Sequence, residues 1–167
     1  MNNLKYRDAV ASDLDIIVKI YNSTIASRMV TADTESVTVE SRLEWFKNHS
    51  ADKYPLWVIE NEEDMVVGWL SFQAFYGRPA YDGTAEMSVY LQESQRGKGL
   101  GKAVLQYAID KCPEIGIKTL LGFIFAHNEA SLKLFRHFGF GDWGILPDIA
   151  VLDGHERSLA ILGKRIS

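Results

Sequence analysis

Apolar and polar positions along this chain follow two rhythms that divide it into elements. Leu4 to Arg7 alternates over a short stretch and predicts a strand. Leu14, Ile17, Val18 and Tyr21 then fall at i, i+3, i+4 and i+7, the spacing of a helix with one apolar stripe to lay on a sheet. Ser12-Asp13-Leu14-Asp15 resembles a capping box opening that helix. A second helix is expected from near Thr38, with Val39, Leu43 and Phe46 on one side and an end near Asn48. The link from Ser27 to Val37 shows no period and reads as irregular.

From Leu56 the rhythm changes. Leu56 to Glu60, Met65 to Phe75 and Thr84 to Leu91 are rich in Val, Trp, Phe and Tyr and predict three strands. The polar Asn61-Glu62-Glu63-Asp64 between the first two predicts a hairpin and hence an antiparallel pair. Gly99 to Cys112 carries Leu100, Val104, Tyr107 and Ala108 at helical spacing and stops before Pro113. Thr119 to Phe125 predicts a strand, Asn128 to His137 a helix, and the tail two strands meeting at Asp153-Gly154. A mixed α/β chain with a largely antiparallel sheet follows.

At 167 residues and 47% hydrophobic content, one domain over 1–167 is expected, large enough to need no disulfide or metal staple. Lys and Arg total 18 against 22 Asp and Glu, so the net charge of -4 offers no general attraction to nucleic acid or an anionic membrane. Any phosphate binding must be local. The single cysteine, Cys112, has no internal partner, which fits a reducing compartment and makes the cytoplasm the expected location. The polar segment Met1 to Arg7 lacks the apolar stretch of a signal peptide, and no apolar run reaches the roughly 18 residues of a membrane span. His49, His127, His137 and His155 have no metal-ligand spacing, and no metal is expected.

One turn stands apart from this acidic background. Arg96-Gly97-Lys98-Gly99-Leu100-Gly101-Lys102 lies between a predicted strand and a predicted helix, where unpaired helix N–H groups converge. Glycine lets the backbone approach a ligand closely, and three basic side chains add local positive charge. A pyrophosphate suits it. A P-loop reading fails because Ala103 stands where Ser or Thr is required, and a dinucleotide fingerprint begun at Gly97 meets Lys102 where glycine or alanine is required.

Taken with its setting, this turn resembles the acetyl-CoA loop of the GNAT superfamily, with Arg96, Gly99 and Gly101 at the matching positions. Asn128, Ser131 and the later Gly139-Phe140 resemble the family's next landmark. More narrowly, the chain is similar to the phosphinothricin and methionine sulfoximine N-acetyltransferase group in Glu40-Ser41-Arg42-Leu43-Glu44-Trp45-Phe46, Gly68-Trp69, Arg78-Pro79-Ala80-Tyr81 and Glu86 with Ser88-Val89-Tyr90. The resemblance implies a GNAT-like sheet splayed near Leu91 and flanked by helices. It implies acetyl-CoA as cosubstrate, held by the backbone of Val89, Tyr90 and Leu91, by Arg96, Gly97, Lys98, Gly99, Leu100, Gly101 and Lys102, and by Asn128 and Ser131. A homodimer is implied as well.

The implied reaction acetylates a small primary amine. An alkyl amine is mostly protonated at neutral pH, so a base must remove its proton. Glu86 takes that role by resemblance. With period two it shares a strand face with Ser88 and Tyr90, while Met87, Val89 and Leu91 share the other. Arg78, between Gly77 and Pro79, is a candidate clamp for an acceptor carboxylate, with Tyr81 beside it. The leaving-group acid is unassigned, because Leu134-Phe135 stands where many relatives carry a tyrosine. Two other readings stay open at this point: acetylation of protein N-termini, and a non-catalytic acyl-CoA-binding module.

Overall fold

The structure is a computed structural model that describes residues 3–166. Met1 and Asn2 of the N-terminal segment, and Ser167 at the end of the expected domain, lie outside the described residues. Seven strands form one sheet: β1 (Lys5–Asp8), β2 (Leu56–Glu60), β3 (Val66–Ala74), β4 (Thr84–Leu91), β5 (Thr119–Phe125), β6 (Gly141–Leu152) and β7 (His155–Arg165). Their spatial order is β1-β2-β3-β4-β5-β7-β6. Every neighbouring pair is antiparallel except β4 and β5, which run parallel. Among the described residues, four α-helices accompany the sheet: α1 (Leu14–Ile25), α2 (Val39–Lys47), α3 (Leu100–Lys111) and α4 (Glu129–His137).

Alternation along the central strands divides the interior in two. Ile59, Leu70, Phe72, Ala85 and Met87 face α3 and α4, where they meet Val104, Leu105, Ala108 and Leu132. Leu56, Val58 and Trp69 point to the opposite face and meet Leu14, Ile17, Val18 and Tyr21 of α1. Both faces of the middle strands are therefore covered, which is why those strands read as nearly continuous apolar runs.

Two expectations are corrected. The α1 helix is not opened by Ser12, which is exposed; a 3-10 turn over Ala11–Asp13 precedes it, and the buried Asp13 takes the Val10 N–H at 2.8 Å. The Arg7 guanidinium reaches both Asp13 oxygens, at 2.7 and 2.9 Å. Asp13 rather than Ser12 satisfies a backbone donor at this end because its charge is answered from β1. In α2, Thr38 caps the helix as expected, accepting from Ser41 N, but Leu43 is 44% exposed. The side facing α1 is instead formed by Val39, Trp45 and Phe46.

Candidate active site

The site is built on a break in hydrogen bonding. β4 pairs with β3 from Ala85 to Leu91, but with β5 only at Thr84, Ala85 and Glu86. Beyond Glu86 the two strands part, while β5 continues its pairing with β7 as far as Phe125. The backbone of Met87–Leu91 thus has a free edge toward β5, able to receive an extended ligand as a strand would. Immediately after β4, a 3-10 turn over Glu93–Gln95 leads into the exposed Arg96-Gly97-Lys98-Gly99. Gly97 and Gly99 have φ of 77° and 74°, left-handed values that disfavour other residues. Gly99 is the N-cap of α3 and supplies no side-chain acceptor, so the first-turn N–H groups remain available to an anion. Leu100, expected as a cofactor contact, is buried, and Gly101 packs against α4, its nearest neighbour being Leu134.

On the face toward α1 and α2, Glu86, Ser88 and Tyr90 line up as expected, with cross-strand partners Gln73, Ser71 and Trp69. Val89 and Leu91 pack with the opposite core. Glu86 is half-buried, and burial raises its carboxyl above the ordinary range. Tyr90 stacks on Trp69 at 4.6 Å between ring centroids, and burial pushes its phenol well up, so it stays protonated at neutral pH. A cleft opens beside these residues, walled by Tyr21, Arg42, Trp45, Trp69, Ser88 and Tyr90. Arg42 Nη2 donates to Asp33 Oδ2 at 3.1 Å, and its Cζ lies 4.9 Å from the centre of the Tyr21 ring. Tyr21 donates its hydroxyl proton to Asp33, so the neighbouring Thr31 hydroxyl is the donor to the Tyr21 oxygen.

The segment after α1 crosses the break in the sheet. Three successive carbonyls are held by side chains from both arms: Arg28 O by His127 Nε2 at 3.0 Å, Met29 O by Asn128 Nδ2 at 3.2 Å, and Val30 O by the Tyr90 hydroxyl at 3.5 Å. Because a carbonyl only accepts, His127 carries its proton on Nε2. Its Nδ1 is buried without a hydrogen-bond partner among the described residues. Asn128 is 6% exposed and its other amide atom caps α4, accepting from Ser131 N at 3.2 Å. The side chain expected to touch a cofactor is therefore engaged at both ends within the protein.

Arg78 and Tyr81 lie on the exposed connection between β3 and β4. Tyr81 packs on Phe75 and Tyr76, and neither Arg78 nor Tyr81 lines the cleft. Arg42 does, and the reading from sequence gave it no role. Its position three residues after Val39 and three before Trp45 held the signal, obscured by Leu43. Among the aromatic residues of α2 and β3 and the turn after it, Trp69 and Phe72 are buried, whereas Trp45, Phe46 and Phe75 are only partly covered. Phe135 lies against Gly122, where a β-carbon would stand 2.7 Å from its ring. Cys112 is buried, and burial pushes its thiol up to about 12, far from a reactive thiolate. Among the described residues no group of three His, Cys, Asp or Glu side chains is placed to hold a metal ion.

Comparison with known proteins agrees with this layout. The family model described as "Acetyltransferase (GNAT) family" matches residues 17–140. YwnH of Bacillus subtilis, which carries a provisional name as a phosphinothricin acetyltransferase, is 55% identical over 155 residues, covering 93% of this chain and 94% of its own. The L-methionine sulfoximine/L-methionine sulfone acetyltransferase of Pseudomonas aeruginosa is 32% identical over 143 residues, covering 86% of this chain and 83% of its own. The phosphinothricin acetyltransferase of Sinorhizobium meliloti, solved in complex with acetyl-CoA, superposes with a TM-score of 0.90 at 28% identity, covering 98% of this chain and 89% of that one. With its open parallel pair, its glycine turn ahead of α3 and a family match across most of its length, the chain belongs to the GNAT family of acetyltransferases.

Proposed function

We propose that the protein transfers the acetyl group of acetyl-CoA directly to the primary amine of a small amino-acid-like acceptor, as the names of its relatives indicate for them. The observation that carries this reading is the free edge of β4 beyond Glu86, with a glycine turn at one end and a half-buried carboxylate on the adjoining face. The pantetheine arm would lie along the backbone of Val89, Tyr90 and Leu91 as an added strand. The pyrophosphate would sit over the first turn of α3, where the exposed Arg96, Lys98 and Lys102 are close in sequence.

Glu86 accepts a proton from the acceptor ammonium, directly or through a water, and frees the nitrogen lone pair. The amine attacks the thioester carbonyl, the new C–N bond forms, the C–S bond breaks to release the CoA thiolate, and the second proton of the attacking nitrogen passes to that thiolate or to water. A backbone N–H on the free edge of β4 stabilises the oxyanion between those steps. Holding both reactants across one strand supplies most of the acceleration.

The protein acts as a homodimer in this reading. The outer strand β6 exposes Trp143, Ile145, Leu146, Ile149 and Val151, an apolar edge that a second copy would cover. Its lone buried thiol suits the reducing cytoplasm, the proposed compartment. Following thiol release from acetyl-CoA across free amino acids, methionine sulfoximine, phosphinothricin, polyamines and short peptides tests the acceptor class. Turnover confined to amino-acid-like amines is expected; preference for peptides would replace this reading with a protein N-terminal acetyltransferase.

A further inference from the structure

We infer that Arg42, the cation on the wall of the cleft, receives the carboxylate of the acceptor and makes α-amino acids the preferred substrates; this rests on the acetyl-transfer reading above. Arg42 lines the same cleft as Ser88 and Tyr90, and Ser88 shares its strand face with Glu86, about 7 Å along the strand. An α-amino acid bears its amine and carboxylate on one carbon. Anchoring the carboxylate in this cleft keeps the amine on the face that carries Glu86.

The guanidinium is prepared for such a contact. Its side chain is 29% exposed, one N–H is used on Asp33, and its Cζ stands over the Tyr21 ring, so its position is set from two sides. Asp33 is itself shared with the Tyr21 hydroxyl, which draws on the negative charge it offers to Arg42. The remaining N–H groups of the fork match the two oxygens of a carboxylate. Trp45 and Trp69, in edge contact at 5.4 Å, give the acceptor side chain an apolar wall. Arg78, the candidate from sequence, stands exposed on the turn after β3 and does not reach this wall.

The test compares each acetylated amino acid with its decarboxylated amine, using wild type, Arg42→Gln, Arg42→Lys and Arg78→Gln. Arg42→Gln is expected to raise KM for the amino acid about tenfold or more while leaving the decarboxylated amine nearly unchanged, the signature of one lost charge-assisted contact. Arg42→Lys keeps the charge without the fork and should fall between. An equal loss on both acceptors, or a carboxylate-selective loss in Arg78→Gln alone, overturns the assignment while leaving acetyl transfer standing. Should the wild type acetylate no amine, quenching of tryptophan fluorescence by methionine sulfoximine decides the matter without turnover. Binding lost in Arg42→Gln supports the carboxylate site; equal or absent binding overturns it.

Discussion

Gly68 and Leu91 are register partners on β3 and β4, and a β-carbon on Gly68 would stand 2.6 Å from Leu91 Cδ2 and 2.8 Å from the Tyr90 carbonyl oxygen. The bare backbone of Gly68 thus lets the end of β4 lie close to β3 just where it has left β5. Gly68→Ala is expected to cost about 1–3 kcal/mol in urea unfolding, the range for overpacking. It should also weaken acetyl-CoA binding by displacing Tyr90 and Leu91, whereas Gly116→Ala, at a turn outside the site, should leave that binding intact.

The Asp13 carboxyl is held below the ordinary range, chiefly by hydrogen bonds from Arg7, with burial opposing. A depressed folded value contributes stability above the unfolded value, lost as pH falls through the folded one. Asp13→Asn is therefore expected to unfold more easily at pH 7 by about 1.5–3 kcal/mol, the worth of hydrogen bonds to a charged group. Urea titrations of both proteins at descending pH should converge in acid.

Glu86 has the opposite sign. Burial raises its folded value, so the folded state binds the proton more tightly than the unfolded chain and loses stability as pH rises between the two values. Glu86→Gln, which cannot ionise, is expected to be more thermally stable than wild type at pH 7. That advantage should vanish below the ordinary carboxylate range, near about pH 4. Thermal melts across pH check the crossover.

Gly99 caps α3 in a left-handed conformation, and the space beside its α-carbon is open. Strain rather than collision is the cost of a side chain there, about 1–2 kcal/mol for alanine. Shifting the turn relieves this strain, so Gly99→Ala is expected to weaken acetyl-CoA binding by about tenfold in calorimetry, with the far-ultraviolet spectrum unchanged.

Much of this molecule was legible in its sequence because local patterns carry the strands. Thr84 to Leu91 alternates, and that alternation correctly put Glu86, Ser88 and Tyr90 on one face. The glycine turn stood out by its charge and by its place between strand and helix. What depends on distant packing could not be read. The backbone segment held by His127 and Asn128 comes from beyond α1, and no local period links it to residues so far along the chain. Arg42 was hidden because it shares α2 with Leu43, whose apolarity suggested burial that the fold does not provide. Asp13 was passed over for Ser12 because its partner, Arg7, sits on β1.

Glu86 is proposed to deprotonate the acceptor amine. The most direct measurement is steady-state thiol release from acetyl-CoA by wild type and Glu86→Gln on the best acceptor, across pH, with acetyl-CoA affinity measured alongside. The account predicts a fall in kcat of about 10²–10⁴-fold in the variant, with acetyl-CoA binding preserved and the acid limb of the wild-type profile abolished. A variant that turns over at the wild-type rate with the same pH profile would contradict it.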